Sequence, residues 1–184
     1  MPLNIPSGST SKISFGPGVV KMGSAGATPG IDVGYLSEDG VSVEVTNEKK
    51  DILQGNPKLV EYTFSQTQGA TLSFTSIAWD FTNFWWALGA GVTSISGTNH
   101  NISYGGDPLV KTVAIHLQHQ MAVSGNTINV YVWQAVSDGG LTFPFGSDEH
   151  SFEMTFKAQR AATDWASASL AYNKQLIYIE RDMS

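Results

Sequence analysis

Residues 40–89, which read GVSVEVTNEKKDILQGNPKLVEYTFSQTQGATLSFTSIAWDFTNFWWALG, decide the fold of this chain. Residues 41–46 alternate strictly between valines and polar side chains, the two-residue period of a strand with one buried face. The alternation returns at residues 60–65 and again at 71–75. The pattern therefore predicts three strands joined by two successive hairpins.

A short helix is expected next, over residues 80–88. Asp80 or Thr82 can cap its first turn, and Gly89 is the residue type that commonly ends a helix in the left-handed conformation. The apolar stripe that would pack on the sheet consists of Phe81, Phe84, Trp85 and Leu88.

The rest of the chain adds further strand patterns separated by turn-rich loops. Strands are expected at residues 13–22, 92–95, 110–120, 127–136, 151–158 and 175–181. The last of these is an unbroken apolar run, which predicts burial on both faces. Thr163 or Asp164 would cap a short helical turn at residues 165–170.

These elements predict a single mainly β domain over residues 15–184, preceded by an irregular N-terminal arm at 1–14. The expected architecture is a two-sheet β-sandwich or barrel with a short flanking α-helix and a long protruding hairpin at residues 47–57. Residues 1–18 lack the basic and apolar segments of a signal peptide, and no apolar run has the length of a membrane span. We expect a protein that does not contact a membrane.

Charge and composition argue against several functions. The formal net charge is −6, and no basic cluster exceeds the pair Lys49-Lys50, so binding to nucleic acid through phosphate contacts is disfavoured. With no cysteine, the chain has neither a disulfide framework nor a thiolate metal site. The glycines at residues 23–30 are not followed by the Lys-Ser/Thr of a phosphate-binding loop.

Catalytic and metal-binding patterns are also missing from the sequence. His116 and His119 are three residues apart on an expected strand, so they point to opposite faces and cannot share an ion without a bulge. The acidic residues beside His150, at 148 and 149, form a turn that is more typical of a solvated loop than of a catalytic set. We expect no enzyme activity, no cofactor and no small-molecule substrate.

The decisive stretch resembles the major tail tube proteins of long-tailed bacteriophages, which have structural cousins in the tube of type VI secretion. The residues that carry the resemblance are 32–35, 40–45, 47–54, 59–74 and the aromatic helix before Gly89. The resemblance implies a structural virion protein whose hexameric rings stack into a tail tube that conducts the viral genome into the host cell. The implied partners are further copies of the chain and the tape-measure, terminator and baseplate or tip proteins. DNA would pass through the lumen without sequence-specific binding, and assembly would occur in the host cytoplasm.

The same resemblance suggests which residues would act in assembly. The hairpin that would stack one ring on the next comprises Asn47, Glu48, Lys49, Lys50, Asp51, Ile52, Leu53 and Gln54. Mixed charges there would fix the register of the contact. The polar faces of the alternating strands are candidates for the lumen: Glu44, Thr46, Glu61, Thr63, Thr71, Ser73, Thr75 and Glu153. Periodicity does not decide which sheet lines the lumen.

Two alternatives stay open at this point. Exposed tryptophans can stack on sugar rings, so a β-sandwich carbohydrate-binding, lectin-like module is the main rival. Trp85, Trp86 and Trp133 are the residues concerned, and burial in the core or in a subunit interface is the competing fate for each of them. The chain could equally be the tube subunit of a secretion system or a gene-transfer particle.

Overall fold

A computed structural model of the chain describes residues 18–106, 109–121, 126–146 and 150–182. The protein is mainly β, with 58% of the described residues in strands. The expected arm at residues 1–14, the beginning of the strand expected at 13–22 and the acidic pair at 148 and 149 lie outside the described residues.

Ten strands and one α-helix follow one another in the described part of the chain. They are β1 (Val19–Ser24), β2 (Ile31–Asp32), β3 (Leu36–Gln54), β4 (Leu59–Ser76), α1 (Phe81–Leu88), β5 (Val92–Ser96), β6 (Asn99–Ser103), β7 (Thr112–Gln120), β8 (Thr127–Ser137), β9 (Phe152–Ala158) and β10 (Tyr178–Asp182). A 3-10 turn, Tyr172–Lys174, precedes β10.

Eight of the strands form one large antiparallel sheet. Its order is β2-β1-β7-β8-β9-β4-β3, and β10 pairs with β8 beside this path. The first half of β8 pairs with β10, while its last three residues pair with β9. β5 and β6 form a separate hairpin. The path from β2 to β3 has two open ends, so the described residues form no closed barrel.

Both halves of the sheet contribute side chains to one hydrophobic core. Val20, Ile115 and Val132, from β1, β7 and β8, belong to the same cluster of buried side chains as Phe74 and Phe156, from β4 and β9. Helix α1 adds the fully buried Phe84 to this cluster.

The expected helix is confirmed together with its two caps. Asp80 Oδ1 accepts hydrogen bonds from the backbone N–H groups of Thr82 at 2.7 Å and Asn83 at 3.4 Å. Gly89 ends the helix with a φ of 64°. Of the four residues expected to pack on the sheet, Phe84 is buried, whereas Phe81, Trp85 and Leu88 are half-buried. The fully buried stripe includes Asn83, Trp86 and Ala87, so it is rotated from the expected one.

The expectation of two successive hairpins is wrong. β4 is one continuous strand of 18 residues, and β3, with 19 residues, runs through the expected loop at 47–54 to form a single long hairpin. Residues 67–69, which resemble a turn, pair with β3 instead. A Cβ at Gly69 would lie 2.8 Å from Thr46 Oγ1, so this glycine leaves room for the side chain of its partner on β3 and does not mark a turn.

Two expectations for the C-terminal region also need correction. Residues 165–170 are not helical: Asp164 Oδ1 accepts from the backbone N–H groups of Ala166 and Ala168 and so holds a non-helical turn. β10 is paired along one side to β8, but Ile179 is 53% exposed, so the strand is not buried on both faces within this chain. No helix in the described part of the chain has the length and apolar character required to cross a membrane.

Candidate assembly surface

The distal half of the β3–β4 hairpin protrudes from the domain. β9 pairs with β4 only from Thr71 to Ser76, so beyond Ala70 the hairpin is a two-stranded ribbon. Residues 44–63 are all exposed, and at about 3.3 Å per residue the strand from residue 46 to 54 reaches on the order of 30 Å. A ribbon of two strands is marginally stable in water by itself. Contact with another surface would therefore stabilise this part of the chain.

Two β-bulges change which face the side chains of β4 occupy. The register shifts between Glu48 and Lys49 and again between Ile52 and Leu53, and each shift leaves one extra residue in β4. Each extra residue reverses the alternation of side chains relative to the body of the strand. Thr63 Oγ1 donates a hydrogen bond to Asp51 Oδ1 at 2.6 Å, and both side chains lie on the face that continues the core side of β3.

The bulges place apolar side chains on the opposite face of the ribbon. Tyr62 pairs with Ile52, Phe64 with Lys50, and Leu59 with Gln54. We call Ile52, Leu59, Tyr62 and Phe64 the distal apolar patch; all are exposed except the half-buried Phe64. Exposed aliphatic and aromatic side chains grouped on one surface are typical of interaction sites.

The eight residues expected to stack rings all lie on the outgoing strand of this ribbon. Asn47, Lys49, Asp51 and Leu53 continue the core side of β3, whereas Glu48, Lys50, Ile52 and Gln54 lie on the side of the distal apolar patch. All eight are exposed. The hairpin thus presents charged and apolar groups on both of its faces.

The eight residues expected to line a lumen do not all share one face. Six of them do: Glu44, Thr46, Thr71, Ser73, Thr75 and Glu153. They lie on the side of the sheet opposite the core, where Glu44 pairs with Thr71 and Thr75 with Glu153. Glu61 is the extra residue of one bulge, and Thr63 lies on the other face because of the bulge at Gln66.

A polar cleft of about 580 Å³ lies at the body end of the hairpin, and no sequence pattern indicated it. We call it the acidic cleft because it contains two carboxylates, Asp39 and Glu153, and no lysine or arginine among its lining residues. Hydroxyl groups add to its polar lining, and they belong to Thr75, Ser137, Thr142, Ser151 and Thr155. Both carboxylate residues are exposed. Such a set of acceptors suits a cationic group.

An aromatic cluster on the outer face of β8 was also missed by sequence reasoning. Tyr131 stacks between His116 and Trp133, with ring centroids 4.9 Å and 5.2 Å away. Trp165 and Tyr178 complete the cluster. Burial lowers the pKa of His116 below its usual value, although the hydrogen bond to Asn129 opposes this shift. Burial, followed by the nearby Glu180 carboxylate, raises the pKa of Tyr131.

The tryptophans considered as sugar-stacking groups are not open platforms. Trp86 and Trp133 are buried, and Trp85 is half-buried beneath the Lys111 ammonium, which lies 4.3 Å from its ring. His116 and His119 lie on opposite faces of the sheet, as expected. His116 pairs with Tyr131 on the outer face, whereas His119 pairs with Ile128, which packs against the core. Within the described residues, no group of three or more potential ligand side chains could hold a metal ion.

Further large apolar side chains are exposed outside the hairpin. Tyr35, Phe145 and Tyr172 are the most exposed aromatic residues, and Phe145 is 84% accessible. Isolated apolar residues on a surface are ordinary, so these positions indicate an interaction surface only where they lie beside a defined site.

No protein-family model and no curated protein matches the sequence.

Proposed function

We propose that this chain is the tail tube subunit of a long-tailed bacteriophage. Hexameric rings of the subunit would stack into a hollow tube through which the genome passes into the host. The observation that carries the proposal is the hairpin of 19 and 18 residues, whose distal half extends beyond the sheet with both faces exposed. A two-stranded ribbon is marginally stable in water by itself, and stacking on a neighbouring copy would stabilise it.

The open edges of the sheet support self-assembly. β3 has no partner strand on its outer side among the described residues, and its 19 residues make it a long edge. Long exposed edges invite pairing with other chains, and proteins usually pair or cover them. In the proposed ring, sheets of neighbouring subunits would join into a continuous barrel around the lumen, and each subunit would be a sandwich-like, tail-tube-like domain within it.

The polar side of β3, β4 and β9 is the best candidate for the lumen. Glu44, Thr46, Thr71 and Ser73 lie together on this side and offer carboxylate and hydroxyl groups, while the exposed Lys157, which pairs with Thr71, adds an ammonium group beside them. Glu44 and Glu153 outnumber Lys157 on this wall, and the hydroxyl groups carry no charge, so the wall would repel the phosphate backbone and DNA would slide past it without binding. The mature protein would belong to the virion, where the tape-measure, terminator and baseplate or tip proteins would be its partners.

The proposal is tested with the purified full chain. Negative-stain electron microscopy across a concentration series, with light scattering on the same samples, should show rings or hollow filaments that appear as concentration rises. A chain that stays monomeric at every concentration and binds an immobilised glycan would contradict the proposal and favour the lectin-like alternative. The tube subunit of a secretion system would also assemble in this experiment. DNA release by virions that carry a subunit variant separates the tail tube function from the secretion function.

A deletion tests the role of the hairpin. Removing residues 52–56 shortens the ribbon at its tip while leaving the core residues of β4 in place. The variant should form rings or monomers and no long tubes. Normal tubes from this deletion would show that the hairpin tip does not stack rings.

A further inference from the structure

A second cleft lies on the side of the sheet that carries the core. It has a volume of about 560 Å³ and lies between the first turn of α1 and the β5–β6 hairpin. We call it the Trp79 cleft, after the residue that precedes α1 and lines the cleft together with Phe81. Both rings contact the buried Phe84 of the core, whereas the residues proposed for the lumen lie on the opposite side of the sheet. In the proposed tube the Trp79 cleft would therefore open away from the lumen.

Trp79 differs from the other four tryptophans because it is exposed. Its side chain is 43% accessible, whereas the others are buried or half-buried. Phe84 and Phe152, both fully buried, make T-shaped contacts with its ring, and the centroids lie 5.8 Å and 4.8 Å away. These contacts hold the indole in one orientation against the core. A rigid, partly exposed indole offers an apolar surface that loses little conformational freedom when a ligand packs on it.

Polar groups make up the rest of the described lining of this cleft. Asn99, His100 and Asn101 come from β6, and all three are exposed. Asp80 caps α1 through Oδ1, so its second carboxylate oxygen can accept from a ligand. An asparagine amide supplies both donors and an acceptor, whereas a carboxylate only accepts. No lysine or arginine is among the described lining residues, so nothing there would compensate the charge of a phosphate or a carboxylate.

We propose that the Trp79 cleft binds a neutral carbohydrate. The C–H face of a pyranose ring would pack on the indole, while its hydroxyl groups would exchange hydrogen bonds with the amides, the imidazole and the carboxylate. The volume is within the range of roughly 300–1,000 Å³ that small-molecule sites occupy. This binding activity goes beyond the proposed function and does not depend on it. Because the cleft would open on the outside of a tube, it would stay accessible after assembly.

A glycan array identifies the carbohydrate. The labelled full chain is applied, below the concentration at which light scattering detects assembly, to neutral oligosaccharides of hexoses and N-acetylhexosamines. Oligogalacturonates on the same array serve as anionic probes. We expect binding to one or more neutral oligosaccharides and none to the oligogalacturonates, because Asp80 would repel their carboxylates. Isothermal titration calorimetry with the neutral oligosaccharide that gives the strongest signal then supplies the association constant.

Substitutions in the cleft supply the specific test. Trp79→Ala and Asn99→Ala should each lower the association constant by about tenfold or more, because one removes the apolar surface and the other removes a hydrogen-bonding amide. Trp79→Phe retains a ring and should recover part of the loss. Tyr172→Ala, at an exposed aromatic position outside the cleft, and Ser94→Ala, on the same hairpin as Asn99 but outside the cleft, are the matched controls and should bind as the native chain does.

Thermal melts show which variants remain folded. Trp79 packs on the core, so its replacement by alanine is expected to lower stability, whereas Asn99 is exposed and its replacement should leave the melting temperature unchanged. Asn99→Ala therefore keeps the test informative even if Trp79→Ala unfolds the chain.

The outcomes separate the carbohydrate site from the proposed function. Absence of binding to every neutral oligosaccharide, equal binding to the oligogalacturonates, or native affinity in the Asn99→Ala variant would overturn the site. Tubes that bind no carbohydrate would leave the tail tube proposal intact and remove the site. Carbohydrate binding that is lost in Asn99→Ala, by a chain that never assembles, would support the site and contradict the tail tube proposal.

Discussion

The side-chain Nδ2 of Asn83 donates a hydrogen bond to the backbone oxygen of Val33 at 3.0 Å, and both residues are fully buried. Asn83 lies in α1, whereas Val33 follows β2 and precedes the long hairpin. The bond therefore fixes the flanking helix against the segment from which the hairpin begins. A buried carbonyl oxygen that loses its donor keeps the full cost of having left water.

Asn83→Leu should lower the free energy of unfolding by about 1 kcal/mol, because it leaves the Val33 oxygen without this donor but also removes Asn83 Oδ1, a buried acceptor with no hydrogen-bond donor among the described residues. Urea denaturation measures the change, and the midpoint should fall while the slope stays constant. Asn101→Leu, at an exposed position on β6, is the control and should change stability by less than about 0.5 kcal/mol. Equal effects of the two substitutions would show that the buried bond contributes nothing.

The Asp80 cap offers a second measurement on the same helix. Asp80→Ala should lower the free energy of unfolding by about 0.5–2 kcal/mol, because Oδ1 no longer accepts from the N–H groups of Thr82 and Asn83. Asp80→Asn retains an oxygen acceptor and should recover most of this loss. If the asparagine variant is as unstable as the alanine variant, the carboxylate acts through its charge and not as a cap.

The helix could be predicted from the sequence because its signals are local. Asp80 and Gly89 mark its two ends through chemistry that needs only neighbouring backbone groups, and both act as expected. Its buried stripe was less predictable. Asn83 is polar, yet it is buried because a partner 50 residues away in the chain accepts its hydrogen bond.

The shape of the hairpin could not be predicted in the same way. The alternation of Val60, Tyr62 and Phe64 has the same parity as that of Leu72 and Phe74, so periodicity places all five on one face. Two bulges in β4 reverse the parity between these groups, and no residue type in the sequence signals them. A ribbon exposed on both faces has no buried side whose pattern would fix its register.

The acidic cleft could not be predicted from the sequence for a different reason. Asp39 and Glu153 are 114 positions apart, and they line one cleft because β9 pairs with β4 while β3 leaves its ladder near residues 37–40. Pairing between strands so distant in sequence follows from the whole topology. Composition alone shows the acidic excess but not where it collects.

His116 should make stability depend on pH. Its ring lies on the outer face of β7, with Nε2 3.2 Å from Asn129 Oδ1 and with Lys21 opposite it on β1. Burial first, and then the charge of Lys21, lower the pKa of the folded imidazole below its usual value near 6.5, so the unfolded chain binds a proton more readily. This contribution is present above pH 6.5 and is lost as the pH falls from there through the lowered pKa.

His116→Phe keeps an aromatic ring on Tyr131 and removes the titration. Urea midpoints measured between pH 8 and pH 5 should fall more steeply for the native chain than for this variant, with the difference opening below about pH 6.5. Carboxylates titrate in both proteins, so only the difference between the two curves reports on His116. Parallel curves would show that the imidazole has the same pKa in the folded and unfolded chains.

Leu59 and Leu72 lie on the same strand, and substitutions at these two positions should separate effects on assembly from effects on folding. Leu59 is 68% exposed in the distal apolar patch, whereas Leu72 is 2% exposed in the core. Leu59→Ser should change the free energy of unfolding by less than about 0.5 kcal/mol, since little of its surface is buried in the single chain. If the patch packs against a neighbouring copy, the same substitution should raise the concentration at which light scattering detects assembly. Leu72→Ala should do the reverse: it should cost about 2–5 kcal/mol of stability through the cavity it leaves, and the fraction that remains folded should assemble normally. A Leu59→Ser chain that assembles at the native concentration would remove this leucine from the contact between copies.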